Sequence, residues 1–188
     1  MLTTSKTVND CGNCVTLLPS GKTSINGRSC RVLIDHCSDK SFVTEHFAKS
    51  SNAELVKRDN YYKGISKEIC KATRAAILRT SLGGTEITLA AVMTPEIATL
   101  RAVDYVPHRN WTFIKDRHSL MLDNYPRPAC DVDVMLGLDV TPFIIRNSIS
   151  KGSISAEFTH AGTIFLKGVI PRTGNTSCPC FLISDSPT

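Results

Sequence analysis

The sequence predicts a mainly β domain with one or two short helices, and three observations carry that prediction. The dipeptide Asn26-Gly27 is a two-residue hairpin signal leading into the β-prone run Cys30-Arg31-Val32-Leu33-Ile34. From Thr85 to Met93 the chain alternates, with Ile87, Leu89, Ala91 and Met93 on one face, the period of a half-buried strand. A second compact apolar run, Val132 to Leu136, stops at Gly137.

Each element follows from local chemistry. Between Val15 and Met93 the chain reads as short strands separated by turns. Asn-Gly suits a type I′ turn because both central residues need positive φ. Gly83-Gly84 supplies a second turn, which makes Ala76-Ile77-Leu78 the expected mate of the Thr85–Met93 strand. Ser41 to Ala48 predicts a short helix, since Val43 and Phe47 lie four residues apart on one face. A second helix is expected just after Gly137, from Leu138-Asp139-Val140-Thr141 onward. Met121 to Pro128 reads as a loop, with Pro126 and Pro128 flanking Arg127. There is no internal repeat. The expected organisation is a poorly anchored segment over 1–14, one domain over 15–171, and a tail over 172–188.

Length and composition bound the function. At 188 residues and 20.5 kDa, with 41% hydrophobic residues, the chain is long enough to bury a core. The net charge of +5 is spread out without a basic block, so nucleic acid is not an expected partner of this domain. No apolar stretch approaches the ~18 residues of a membrane span, and the start carries no apolar signal core, so the expected compartment is intracellular, the cytoplasm. The eight cysteines then read mostly as free thiols. Cys11 and Cys14 have zinc-knuckle spacing, but the only other close pair, Cys178 and Cys180, is about 160 residues away, and neither metal nor cofactor is expected. The sequons at Asn110 and Asn175 read as accidental in such a chain.

The chemistry-bearing feature is Asp35. The apolar strand Val32-Leu33-Ile34 runs straight into it and on into a polar turn, His36-Cys37-Ser38-Asp39. A carboxylate there is costly to leave unpaired, so it serves either as a turn acceptor or is held for chemistry. About a hundred residues later a second apolar strand meets an acid, in Val132-Asp133-Val134-Met135-Leu136-Gly137-Leu138-Asp139. Together the two units resemble the halves of a retropepsin-type aspartic peptidase monomer. In that family an apolar strand precedes Asp-Ser/Thr-Gly, and a later apolar-apolar-Gly-x-Asp segment packs beneath the loop. The resemblance is closest to the BEL/Pao-type retrotransposon peptidases. Their Leu-Leu-Asp-Ser-Gly-Ser-x-x-Ser-Phe-Ile-Thr-Glu stretch is similar to Leu33 through Glu45, with Ser38, Ser41, Phe42, Thr44 and Glu45 in step with the aspartate. Tyr62-Lys63-Gly64-Ile65 falls where the flap hairpin would be, and Trp111 with the Leu122–Pro128 loop precedes the second motif.

The resemblance implies a closed, retropepsin-like β-barrel of a single lobe, spanning about residues 28 to 170. It implies Asp35 as the catalytic residue, Gly64 and Ile65 as substrate-binding flap residues, and a polypeptide substrate. Such peptidases hydrolyse peptide bonds with two carboxylates around one water. This chain carries only one such unit, so the resemblance implies a homodimer with one Asp35 from each copy. Asp139 would support the fold beneath the loop. Asp131 and Asp133 read as solvent-facing residues alternating with Val132 and Val134. The family's Ser/Thr and Gly after the aspartate are His36 and Cys37 here. Two functions therefore lead, an aspartic endopeptidase of retrotransposon origin or a catalytically inactive module for dimerisation or protein binding, and a zinc-stabilised or nucleic-acid-associated fragment, resting on Cys11, Cys14 and the +5 charge, comes third. A thiolate nucleophile from Cys37 with His36 as base, and a metal on His36, Cys37 and Cys30, are disfavoured because adjacent side chains diverge and no ligand spacing extends from them.

Overall fold

The computed structural model describes residues 14–63, 69–82, 85–103, 123, 125–151, 154–160 and 162–171. The Gly83-Gly84 turn, Gly64 and Ile65, Trp111, both sequons, residues 1–13 and the 172–188 tail lie outside the described residues.

The hairpin signal holds. Strands β2 (Ser20–Ile25) and β3 (Arg28–Ile34) pair antiparallel with Ile25 opposite Arg28, and Asn26 and Gly27 turn between them at φ 51° and 73°. The alternating segment is also a strand, β7 (Thr85–Thr94), whose mate is β6 (Ile69–Leu82) through the pairs Ala76–Ala91 and Leu78–Leu89. Strand β5 (Glu54–Lys63) lies on the outer side of β6.

The helix expected over Ser41–Ala48 is instead split. Phe42–Thr44 forms strand β4, and helix α1 covers Glu45–Ser50. Tertiary pairing overrides the helical period: β4 fills the slot between β7, to which it is parallel, and β10 (Val134–Leu136), to which it is antiparallel. Thr44 then starts the helix as its N-cap, its Oγ1 accepting from the Phe47 amide at 3.2 Å. Val43 and Phe47 still both point into the core. The second helix, α2 (Thr141–Ile144), begins four residues after Gly137 with proline in its first turn.

The main sheet runs β2-β3-β10-β4-β7-β6-β5, and β2 also pairs with β6 at Ile25–Thr80, which closes the first six strands into a barrel. Ile25, Val32, Val43, Leu78 and Leu136 fill it, all essentially without exposure. Each such side chain contributes about 1.5–3 kcal/mol of burial. Leu33 and Met135 face outward into a second cluster with Ile97, Leu100 and Val132. Strands β3 and β10 are thus covered on both faces, which is why they read as continuous apolar runs rather than alternating ones.

A second sheet, β1-β13-β12-β11, packs against the barrel. It comprises β1 (Cys14–Leu17), β11 (Ile145–Lys151), β12 (Ile154–Thr159) and β13 (Ile164–Pro171). Phe165 of β13 enters the barrel core, while Ile154, Ala156, Phe158, Ile164 and Leu166 pack with Leu17 and Val103 on the other face. A short pair, β8 (Thr99–Leu100) with β9 (Cys130–Asp131), completes the described strands. The fold is mainly β and closed, with two short helices among the described residues.

Candidate active site

Three strands position the Asp35 loop. Strand β10 lies between β3 and β4, parallel to one and antiparallel to the other, with Leu136 in register with Ile34. The Asp35 amide continues that pairing by donating to the Leu136 carbonyl at 2.9 Å. The later apolar-Gly-x-Asp segment therefore lies directly beneath the loop that follows β3, as the family resemblance implies.

The close approach depends on Gly137. A Cβ added there would lie 2.6 Å from the Lys40 carbonyl carbon and 2.8 Å from the Ser38 oxygen, both backbone atoms. Lack of space, not a special φ, demands glycine. Leu138 N–H donates to the Ser38 carbonyl at 2.8 Å, stitching the two segments together. Ser41, fully buried, completes the brace. Its hydroxyl donates to Asp139 Oδ1 at 2.6 Å and accepts from the Gly137 amide at 3.1 Å, while its own amide donates to Asp139 Oδ2 at 3.0 Å. Asp139 thus holds the base of the loop.

Asp35 itself is half-buried at the loop tip. Its Oδ1 accepts the Cys37 amide at 2.9 Å, and its carbonyl accepts the Ser38 amide at 3.3 Å, forming a turn. Oδ2 has no hydrogen-bond partner among the described residues. One oxygen is oriented and the other is open. The only described non-glycine residues at positive φ are Asn26 and Asn52, so Cys37 fits the loop in ordinary backbone geometry.

His36 points away from its neighbour. Its Nε2 lies 2.9 and 3.0 Å from the two carboxylate oxygens of Glu157 on β12, and Lys167 Nζ of β13 pairs with the same carboxylate. No hydrogen bond joins His36 to Cys37, which leaves the exposed Cys37 thiol without a base from that ring. Among the described residues no group of three or more His, Cys, Asp or Glu side chains is placed to hold a metal ion.

The solvent-facing reading of Asp133 needs correction. Its carboxylate accepts the Arg31 amide at 2.8 Å, its amide donates to the Arg31 carbonyl at 3.0 Å, and its carbonyl accepts the Thr44 amide at 2.9 Å. Asp133 occupies the point where β3, β4 and β10 converge, and strand alternation breaks there. Asp131 is exposed, with Oδ1 accepting from Thr99 Oγ1 at 2.6 Å. Burial, and then the charge of Asp133, pushes the Cys30 thiol up to about 12.

The flap candidates Gly64 and Ile65 lie outside the described residues; the strands before and after them, β5 and β6, pair antiparallel as far as Lys63–Ile69. Tyr62 of this hairpin packs edge-on against Phe42 of β4, with ring centroids 5.1 Å apart.

Several buried charges escape sequence reasoning. Asp123 accepts from Arg31 at 2.8 Å, Arg127 at 2.9 Å and Ser20 at 3.1 Å, all four residues being buried. This network pins Asp123 and Arg127 to the β2–β3 hairpin. Glu157 is equally hidden, because in Ile-Ser-Ala-Glu-Phe-Thr it shares its parity with Ser155 and Thr159 and so reads as solvent-facing. Only the packing of β12 against the barrel buries it.

No family model and no curated protein sequence matches this chain. Among solved structures, the crystal structure of the retroviral protease-like domain of Ddi1 from Leishmania major is similar over 86% of this chain and 99% of that one, at 12% identity and a TM-score of 0.39.

Proposed function

We propose that this chain is an aspartic endopeptidase of the retropepsin type, of retrotransposon origin, acting on polypeptides as a homodimer with one Asp35 from each copy. The observation that carries the reading is the state of Asp35: half-buried at a braced loop tip, Oδ1 oriented by the Cys37 amide, and Oδ2 without a partner among the described residues. Two such carboxylates brought to about 3 Å cannot both ionise, so the pair shares one proton. One carboxylate takes a proton from water as general base. The other, protonated, polarises the scissile carbonyl. The β5–β6 hairpin, with Gly64 and Ile65 at its turn, would cover the substrate and exclude water.

The test is cleavage of an unstructured protein near pH 5 by the purified dimer, with inhibition by pepstatin. Asp35→Asn should abolish cleavage while changing stability by no more than about 0.5 kcal/mol, because the amide oxygen still accepts from Cys37. Cleavage that survives Asp35→Asn would overturn the reading. The second reading is a catalytically inactive module for dimerisation or protein binding. It is favoured by the engagement of His36 with Glu157 inside one copy, where the family's hydroxyl would tie two copies together. A folded dimer that cleaves nothing at any pH would establish it.

A further inference from the structure

Glu157 is a charged residue where charge is expensive. Its side chain is 3% exposed, on the face of β12 that packs toward the barrel. A carboxylate in such a place is tolerated when it is paired, and leaving it unpaired is costly. Lys167 lies one diagonal step away on β13, so the second sheet already supplies a counter-charge. The contact with His36 is of another kind. It spans 121 residues and joins the second sheet to the loop at the mouth of the barrel. Because the carboxylate paired with Lys167 is an acceptor, Nε2 is the donating ring nitrogen.

We infer that Glu157 is a positioning residue for the Asp35 loop, holding it through His36 within a single copy of the chain. The inference deepens the peptidase reading and rests on it for the role of Asp35. His36 and Cys37 share one peptide unit, and the Cys37 amide orients Asp35 Oδ1. Anchoring the imidazole therefore anchors the N–H that aims the carboxylate. The hydroxyl of the family motif ties one copy to the other. This loop is tied to its own second sheet instead, and is organised before any partner arrives.

Amide hydrogen exchange on the full chain, followed residue by residue by NMR, tests this without an activity assay. His36→Ala and Glu157→Leu should each speed exchange of the Cys37 amide about tenfold, the scale set by a charge-assisted hydrogen bond, while amides of β3 and β10 keep wild-type rates. Glu157→Gln, which keeps an acceptor for Nε2, should restore most of the protection. In the unmodified protein the Nε2 proton of His36 should give a slowly exchanging ring resonance. Its absence overturns the pairing even if the variants fail to fold. A Cys37 amide unchanged in His36→Ala overturns the inference, as does faster exchange throughout β11–β13, which would mark a merely structural role. Peptide cleavage is scored separately. A protected loop in a protein that cleaves nothing leaves the tie standing and removes the peptidase reading. Cleavage by a protein whose Cys37 amide ignores His36→Ala removes the tie alone.

Discussion

Gly137 passes so close beneath Lys40 that a methyl group on it would sit 2.6 Å from the Lys40 carbonyl carbon. The contact joins the two sequence units, one ending in Asp35 and the other in Asp139, into one loop assembly. Gly137→Ala should cost about 2–3 kcal/mol, since the clashing atoms are backbone, with the Ser38 carbonyl held by the Leu138 amide and the Lys40 carbonyl by the Ser38 hydroxyl. Urea denaturation reads it, and an unchanged midpoint would contradict the close approach.

Ser41 and Asp139 should behave as one unit. Ser41→Ala removes the donor to Asp139 Oδ1 and strands the Gly137 amide, for a loss of about 2–3 kcal/mol. Combined with Asp139→Asn, the losses should fall short of their sum, because the second change acts on a bond already gone. Additive denaturation energies would show that the two residues act apart.

The cysteines divide by burial. Cys37 is exposed and Cys30 is buried with its thiol pushed up to about 12, so an alkylating reagent at pH 8 should label Cys37 quickly and leave Cys30 untouched until the protein unfolds. The sign of the linkage follows from the raised value. The folded state prefers the protonated thiol, so its contribution is complete below the unfolded value near 9 and is lost as pH rises from about 9 through about 12. Over that window the stability of Cys30→Val should fall less steeply than that of the native chain. Peptide mapping after alkylation and denaturation at stepped pH read the two halves of this prediction.

The family motif alone suggests that His36→Ser with Cys37→Gly repairs the loop. The structure predicts the reverse for stability. His36→Ser leaves the buried Glu157 with Lys167 as its one remaining charged partner among the described residues, a loss of about 1 kcal/mol given that the imidazole is 37% exposed. Cys37→Gly adds about 0.5–1 kcal/mol, since Cys37 does not need positive φ and glycine only loosens the unfolded chain. A double variant as stable as the native chain in urea would show that the Glu157 contact contributes nothing.

The parts legible in the amino-acid order are those whose signals are local. Asn26-Gly27 specifies its hairpin because few residues accept two positive φ values in a row. Thr85 to Met93 specifies a strand because one face must be apolar and the other need not be. The two apolar runs that end at Asp35 and Gly137 read as continuous because both strands are covered on both faces, and only the family resemblance joins them as a pair. Tertiary structure decided the rest. Phe42–Thr44 became a strand because an open slot between β10 and β7 offered its backbone partners, and Val43 is buried in either conformation, so burial could not discriminate. Asp133, just before β10, and Glu157, within β12, occupy positions whose alternation with apolar neighbours predicts water. The convergence of β3, β4 and β10 gives the half-buried Asp133 carboxylate the Arg31 amide as a partner, and the docking of a second sheet buries Glu157. Alternation along a strand reports two faces, and only the packing of other elements decides whether the polar one meets solvent or a partner such as His36.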